Sequence, residues 1–121
     1  MNTRDVLTKY YEYANAGDWN SWCDLFTERM VMDEQLAGRV EGRDQLRSMM
    51  DGFGDMYSSF RNVPRRVLVE GAEGVVVSHI SALSTRGDRI EADVMNYFRV
   101  EDGRIAYMSN VHDTVPFKVL S

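Results

Sequence analysis

The sequence predicts an α+β fold in which helices pack on one face of a mainly antiparallel sheet. Three observations predict it. Helical periodicity is confined to the stretch before Tyr57, β-branched and aromatic runs fill the remainder, and those runs are separated by the compact turns "EGAEG", "TRGD" and "EDG" at regular spacing.

The first helix is expected from Thr3 to about Ala16, because Leu7, Tyr10, Tyr11 and Ala14 recur at the spacing of one helical face and Gly17 supplies a stop. In "GDWNSWCDLF", Asp18 is a candidate N-cap, with Trp19, Trp22, Cys23 and Phe26 on one side of a second, shorter helix. The short apolar run "RMVMDE" is expected to be a strand, and "LAGRVEG" to bring the chain round. From Arg43, "RDQLRSMMDGFGDM" puts Leu46, Met49, Met50 and Phe53 on one face of a third helix, weakened at Gly52 and Gly54. Four long antiparallel strands follow, and Pro64 in the first of them demands an edge position or a bulge.

Composition excludes several functions. The 121 residues suit one domain, 1–121, without internal repeats. No apolar stretch approaches the roughly 20 residues of a membrane helix, and the N-terminus lacks a signal peptide's apolar centre, so a soluble, cytoplasmic protein is expected. A formal charge of −5, with basic residues scattered apart from Arg65-Arg66, argues against a nucleic-acid partner. Cys23 is the single cysteine, which excludes an internal disulfide and a thiolate zinc site. The histidines His79 and His112 show no diagnostic ligand spacing with Glu34, so no metal is expected.

Alternation divides each strand into two faces. Val75, Val77, His79, Ser81 and Leu83 oppose Val76, Ser78, Ile80 and Ala82; Ala92, Val94, Asn96 and Phe98 oppose Asp93, Met95 and Tyr97; Ala106, Met108, Asn110 and His112 oppose Ile105, Tyr107, Ser109 and Val111. Both faces are partly apolar, so periodicity leaves open which one meets the helices. The second semi-apolar face suggests a homodimer through the outside of the sheet. His112 and Asp113, as strand neighbours, face opposite ways and form no dyad with each other.

The segments "YYEYANAGDWNSWCDLFTERMVMDE", "GRVEGRDQLRSMM" and "DGRIAYMSNVHD" together resemble the nuclear transport factor 2-like superfamily, and within it the SnoaL-like polyketide cyclases and ketosteroid isomerases. The resemblance covers nearly the whole chain and implies a cystatin-like cone, an α+β barrel of three N-terminal helices on a curved sheet. Position by position, "KYYEYANAGD" resembles the isomerase segment that carries the oxyanion-hole tyrosine, here Tyr10. The catalytic aspartate falls on Glu34 of "VMDE", beside Asp33, and the second oxyanion donor falls on Asn96 of "DVMNYFRV". The same resemblance turns His79, Ser81, Leu83, Met108, Asn110 and His112 toward the pocket, and a histidine at position 79 is similar to scytalone dehydratase.

The chemistry expected from this is proton transfer without a cofactor. Glu34 would be the base, its pKa raised by burial among Phe26, Met50 and Val94, with His79 assisting or replacing it. Tyr10 O–H and the Asn96 amide N–H would bracket an enolate oxygen. Asp33, Phe26, Met50, Ser81, Met108, Asn110 and His112 are the expected ligand contacts. The leading expectation is an isomerase or cyclase acting on a small, mostly apolar carbonyl compound, polyketide- or terpenoid-like. A dehydratase using His79 and a non-catalytic ligand-binding or dimerising domain remain open beside it.

Overall fold

A computed structural model describes residues 1–121. Helix α1 spans Thr3–Ala16 and buries Val6, Leu7, Tyr10, Tyr11 and Ala14. It starts where the Asn2 side chain accepts the Asp5 N–H at 2.8 Å. It stops at Gly17, whose φ of 69° is the left-handed conformation that lets its N–H return to the Ala14 carbonyl. Asp18 caps α2, Trp19–Asp24, through the Ser21 N–H, and Trp22 and Cys23 of that helix are buried.

Strand β1, Phe26–Glu34, is longer than the sequence suggests, and the turn after it leads into a short strand β2, Gly38–Glu41. The expected third helix is broken in two by its glycines, into α3, Arg43–Met50, and α4, Phe53–Met56. The four long strands are β3 (Tyr57–Glu70), β4 (Glu73–Ser84), β5 (Arg89–Glu101) and β6 (Arg104–His112), followed by a 3-10 helix at Val115–Leu120.

All six strands form one sheet in the order β2-β1-β6-β5-β4-β3, antiparallel except where β1 lies parallel to β6. Pro64 meets both conditions set by its missing N–H, since β3 is an edge strand and its register shifts between Pro64 and Arg66. Next to that bulge, the Asn15 side chain accepts the Asn62 N–H at 2.7 Å and donates to the Asn62 carbonyl at 2.9 Å, tying the end of α1 to the edge strand.

Register decides which side chains face the helices. Ser78 pairs with Val94 and Ile80 with Ala92, while Val94 pairs with His112 and Asn96 with Asn110. Paired residues share a face, so Val76, Ser78, Ile80 and Ala82 turn inward with Val94, Asn96, Asn110 and His112. The expectation that His79, Ser81 and Leu83 face the pocket is therefore corrected. Leu83 pairs with Arg89, leaving five residues, 84 to 88, in the hairpin turn. The earlier assignment needs an even number there, and one residue's difference exchanges the two faces of β4.

The inner face meets α1, α2 and α3 in an aromatic core. Tyr10 lies edge-on to Phe98 at 5.0 Å between ring centroids, Trp22 to Phe26 at 5.0 Å, and Tyr10 stands 5.4 Å from Trp22. Phe26, Phe98, Met30, Met32, Leu46 and Met108 are fully enclosed. Phe98→Ala should therefore lower unfolding free energy by about 3–5 kcal/mol in urea titration. A loss below about 1 kcal/mol would contradict a close-packed core at this ring.

Candidate functional site

Above that core the sheet and helices separate around a cavity of about 450 Å³, in the size range of sites for small organic molecules. Hydrophobic residues make up 16 of the 22 that line it. Trp19, Phe53 and Phe60 form one wall, with Trp19–Phe53 centroids at 4.6 Å and Phe53–Phe60 at 5.0 Å. Met49, Met50 and Met56 come from the helical side, Ile80 and Val94 from the sheet, and Phe117 and Leu120 from the 3-10 helix.

Three of the cavity's polar groups lie on one cross-strand row. Glu34 pairs with Asn110 and Asn110 with Asn96, so three adjacent strands each contribute one side chain at the same level. His112 stands on the next row, opposite Val94. Its Nε2 lies 2.8 Å from Glu34 Oε1, and its Nδ1 lies 2.9 Å from the Asp113 carbonyl oxygen. A carbonyl and an ionised carboxylate both accept, so this geometry suits two N–H groups on the ring, and the pair is charged on both sides between pH 4.5 and 6.5, since His112 is raised above 6.5 and Glu34 lowered below 4.5. Glu34 Oε2 accepts the backbone N–H groups of Leu36 and Ala37 at 2.7 and 2.8 Å, which the β1–β2 turn aims at it.

These contacts set the protonation of the pair. Burial pushes the Glu34 carboxyl up, but the bonds from His112, Ala37 and Leu36 together outweigh it and hold the group below its ordinary 4.5. The raised pKa expected from apolar neighbours is thus corrected. The bond to Glu34 lifts His112 above 6.5 against the opposing effect of burial. The side chains are 16% and 4% exposed, which keeps bulk water from screening the pair.

Tyr10, Met50, Asn96 and Asn110 line the same cavity. Burial holds the Tyr10 phenol well above 10, so it remains an O–H donor. Asn96 departs from expectation. Its Nδ2 donates to the buried Tyr11 hydroxyl at 2.7 Å, and the amide oxygen is left without a partner in the protein. One of its two amide hydrogens is thus committed to Tyr11.

Five expected residues lie elsewhere. Phe26 and Met108 are completely buried in the core beneath the cavity and do not line it. Asp33, one position from Glu34, faces outward by strand alternation, where it accepts from Arg39 Nε at 3.0 Å and the Tyr107 hydroxyl at 2.6 Å. Those two bonds hold its carboxyl low. Ser81 faces outward and donates to Glu91 at 2.5 Å.

His79 lies on the same outer face, with Nδ1 2.7 Å from Asp93 and Nε2 3.0 Å from Glu91; Asp93 first, then Glu91, raises its pKa. It has no access to the cavity, and a dehydratase built on His79 loses its base.

Sequence reasoning missed Trp19, Trp22, Asn62, Ile80 and Phe117 as lining residues. The five-residue turn before β5 would have brought in Ile80. Asn62 then follows, because it pairs with Ile80 on β3.

The sign of the pair's contribution to stability follows from the two shifts. A raised His112 stabilises the fold fully below 6.5, and this is lost as pH rises through its folded value; a lowered Glu34 stabilises fully above 4.5, lost as pH falls through its own. The stability difference between the wild type and Glu34→Gln should be greatest between pH 4.5 and 6.5, at about 1.5–3 kcal/mol by denaturant unfolding, and shrink on either side. A difference independent of pH would contradict the ion pair.

Comparison with known proteins agrees with this architecture. An NTF2-like protein of unknown function from Burkholderia pseudomallei K96243 superposes with a TM-score of 0.90 at 16% identity, covering 99% of this chain and 97% of that one. IdmH from Streptomyces antibioticus, proposed to be a polyketide cyclase, superposes at 0.83 with 18% identity, covering 99% and 98%. TerC, co-crystallised with polyporic acid, superposes at 0.86 with 18% identity, covering 98% and 96%. At these identities the likeness is one of fold. No curated protein matches the sequence at a significant level. The SnoaL-like domain profile matches residues 7–108, most of the chain and the whole sheet apart from the end of β6, so this chain belongs to the SnoaL-like domain family of NTF2-like α+β cones.

Proposed function

We propose that the chain is an acid/base enzyme of isomerase or cyclase type, acting through its own side chains on a small, mostly apolar carbonyl compound held in the cavity. The observation that carries this is the Glu34–His112 pair, 2.8 Å apart and nearly enclosed, at the wall of a mainly apolar cavity. Membership of the SnoaL-like family and the likeness to IdmH support the reaction type. The likeness to TerC, crystallised with polyporic acid, supports an oxygenated ring compound as the substrate.

In this reading Glu34 takes the proton from a carbon next to the carbonyl. The C–H electrons move into the new C=C bond, and the carbonyl π electrons move onto oxygen, where the Tyr10 O–H stabilises them. Proton transfer neutralises Glu34 and leaves the His112 cation unpaired beside the new enolate, so the attraction it gave to the carboxylate passes to the substrate. Return of the proton to a different carbon completes an isomerisation. Attack of the enolate carbon on a second carbonyl of the same molecule, with the Glu34 proton passing to the resulting alkoxide, completes a ring closure. A carboxylate held below 4.5 is a weak base, which restricts it to an acidic C–H, flanked by two carbonyls or by a carbonyl and a double bond.

Conversion of a 5-ene-3-one compound to its conjugated isomer, followed by absorbance, tests this. Glu34→Gln should lower kcat by about 10²-fold or more, while Asp33→Asn on the outer face leaves it unchanged. The kcat profile should be bell-shaped, falling below pH 4.5 as Glu34 takes a proton and above 6.5 as His112 loses one. Undiminished turnover in Glu34→Gln removes this residue from the mechanism. Ligand-induced rises in melting temperature, without turnover of any carbonyl compound, would favour a binding domain instead.

The proposal includes a homodimer through the outer face of the sheet. Val77, Met95 and Val111 are register partners across β4, β5 and β6, and Met95 and Val111 are 52% and 55% exposed. A contiguous apolar strip of this kind is a surface that association would cover. Sedimentation should show a dimer that Met95→Glu converts to monomer; a wild-type monomer at high concentration would contradict it.

A further inference from the structure

Three asparagine side chains reach the cavity, and each leaves its amide oxygen enclosed without a partner in the protein: Asn62, Asn96 and Asn110. Buried polar atoms are paired in the great majority of cases, so three bare acceptors in one apolar cavity require an explanation. Asn62 and Asn96 are more than nine-tenths buried, at 6% and 1% exposure. The Nδ2 of Asn96 donates to the Tyr11 hydroxyl at 2.7 Å, and Tyr11 is itself buried at 4% exposure. Asn110 Nδ2 is turned toward Met32 Sδ, 3.9 Å away. In both cases one amide hydrogen is directed at the protein and the amide oxygen has no partner.

We infer that Asn96 and Asn110, with Asn62 across the sheet, are specificity residues that select a ring compound carrying hydroxyl donors, and that Tyr11 is the positioning residue that holds Asn96 in its acceptor orientation. This rests on the cavity being the substrate site, as proposed above, and names the class of substrate. Asn96 and Asn110 are direct cross-strand partners, so their side chains start about 5 Å apart and meet donors on one edge of a ligand. Asn62, on the far side of β4, meets a donor at another edge. The aromatic wall of Trp19, Phe53 and Phe60 suits a flat ring body between them. A ligand with only carbonyl or ether oxygens would leave these amide oxygens unpaired and would set acceptor against acceptor.

The test is binding, measured by calorimetry and melting temperature, of 1,3-dihydroxynaphthalene against its dimethyl ether, which keeps the rings and oxygens but removes the donors. The dihydroxy compound should bind at least about tenfold more tightly. Glu34 could also accept a hydroxyl, so the comparison is repeated in three variants. The preference should persist in Glu34→Gln and fall to about threefold or less in Asn96→Leu and in Asn110→Leu. Tyr11→Phe, which frees the Asn96 amide to turn, should reduce the preference without abolishing binding of the ether; it also serves should Asn96→Leu fail to fold.

A preference unchanged in both leucine variants overturns the inference. Tighter binding of the ether overturns it as well, since amide N–H groups would then face the ligand, and so does the absence of binding by either compound at millimolar concentration. Turnover plays no part in these readouts, so they separate failure of this inference from failure of the Glu34 mechanism.

Discussion

Four neighbouring strands, β1, β6, β5 and β4, are held in registers that keep their even-numbered residues on one side. Met32 pairs with Met108 and Met108 with Phe98; one step on, Glu34 pairs with Asn110, Asn110 with Asn96 and Asn96 with Val76. The first of these rows is core, with Met32 reaching the cavity. The second holds three of the cavity's polar groups, Glu34, Asn110 and Asn96. A single-residue slip in any of the three pairings would carry a whole row to the outer face, so the register specifies the fold and the site together. Because the buried row is apolar, every slip would also expose core and bury charge, which is the energetic reason the register holds.

The two faces of the sheet treat similar residues in opposite ways. His79 and His112 each bond to a carboxylate, yet His79 meets Asp93 and Glu91 on the open outer surface, whereas His112 meets Glu34 within the cone. Asp93 is 77% exposed and its attraction to His79 is screened by water. The Glu34–His112 pair is screened far less, and its loss or gain of one proton changes the field inside the cavity directly. Asp33 and Glu34 show the same division within one strand: adjacent carboxylates, one tied to Arg39 outside and one aimed inward by the turn that follows it.

Much of this was legible in the sequence where local rules act. The spacing of Leu7, Tyr10, Tyr11 and Ala14, the caps at Asp18 and Gly17 and the β pattern after Tyr57 gave the elements and the layer order. The resemblance supplied the inward parity of β1, β5 and β6, and hence Glu34, Asn96, Asn110 and His112 as lining residues. Parity of β4 was not legible, because it depends on whether four or five residues turn the hairpin before Arg89, and "STRGD" is compatible with both. The Glu34–His112 pair was hidden for another reason. It joins residues 78 positions apart through a parallel β1–β6 contact that no local pattern announces. The depressed Glu34 pKa depends on the bond from His112 and, beside it, on two backbone N–H groups in the β1–β2 turn, whose aim belongs to the backbone path and not to the side-chain pattern.

The proposed chemistry depends on a charged pair enclosed in a mainly apolar cavity. Nitrogen-15 chemical shifts of the His112 ring at pH 6 test it most directly, since imidazolium and neutral imidazole nitrogens are well separated in that spectrum. Two protonated ring nitrogens, with the Nε2 proton shifted by its bond to Glu34, are the expected result. A neutral His112 with one bare nitrogen at that pH would mean that the pair carries no separated charge, and the proton-transfer reading would fall with it.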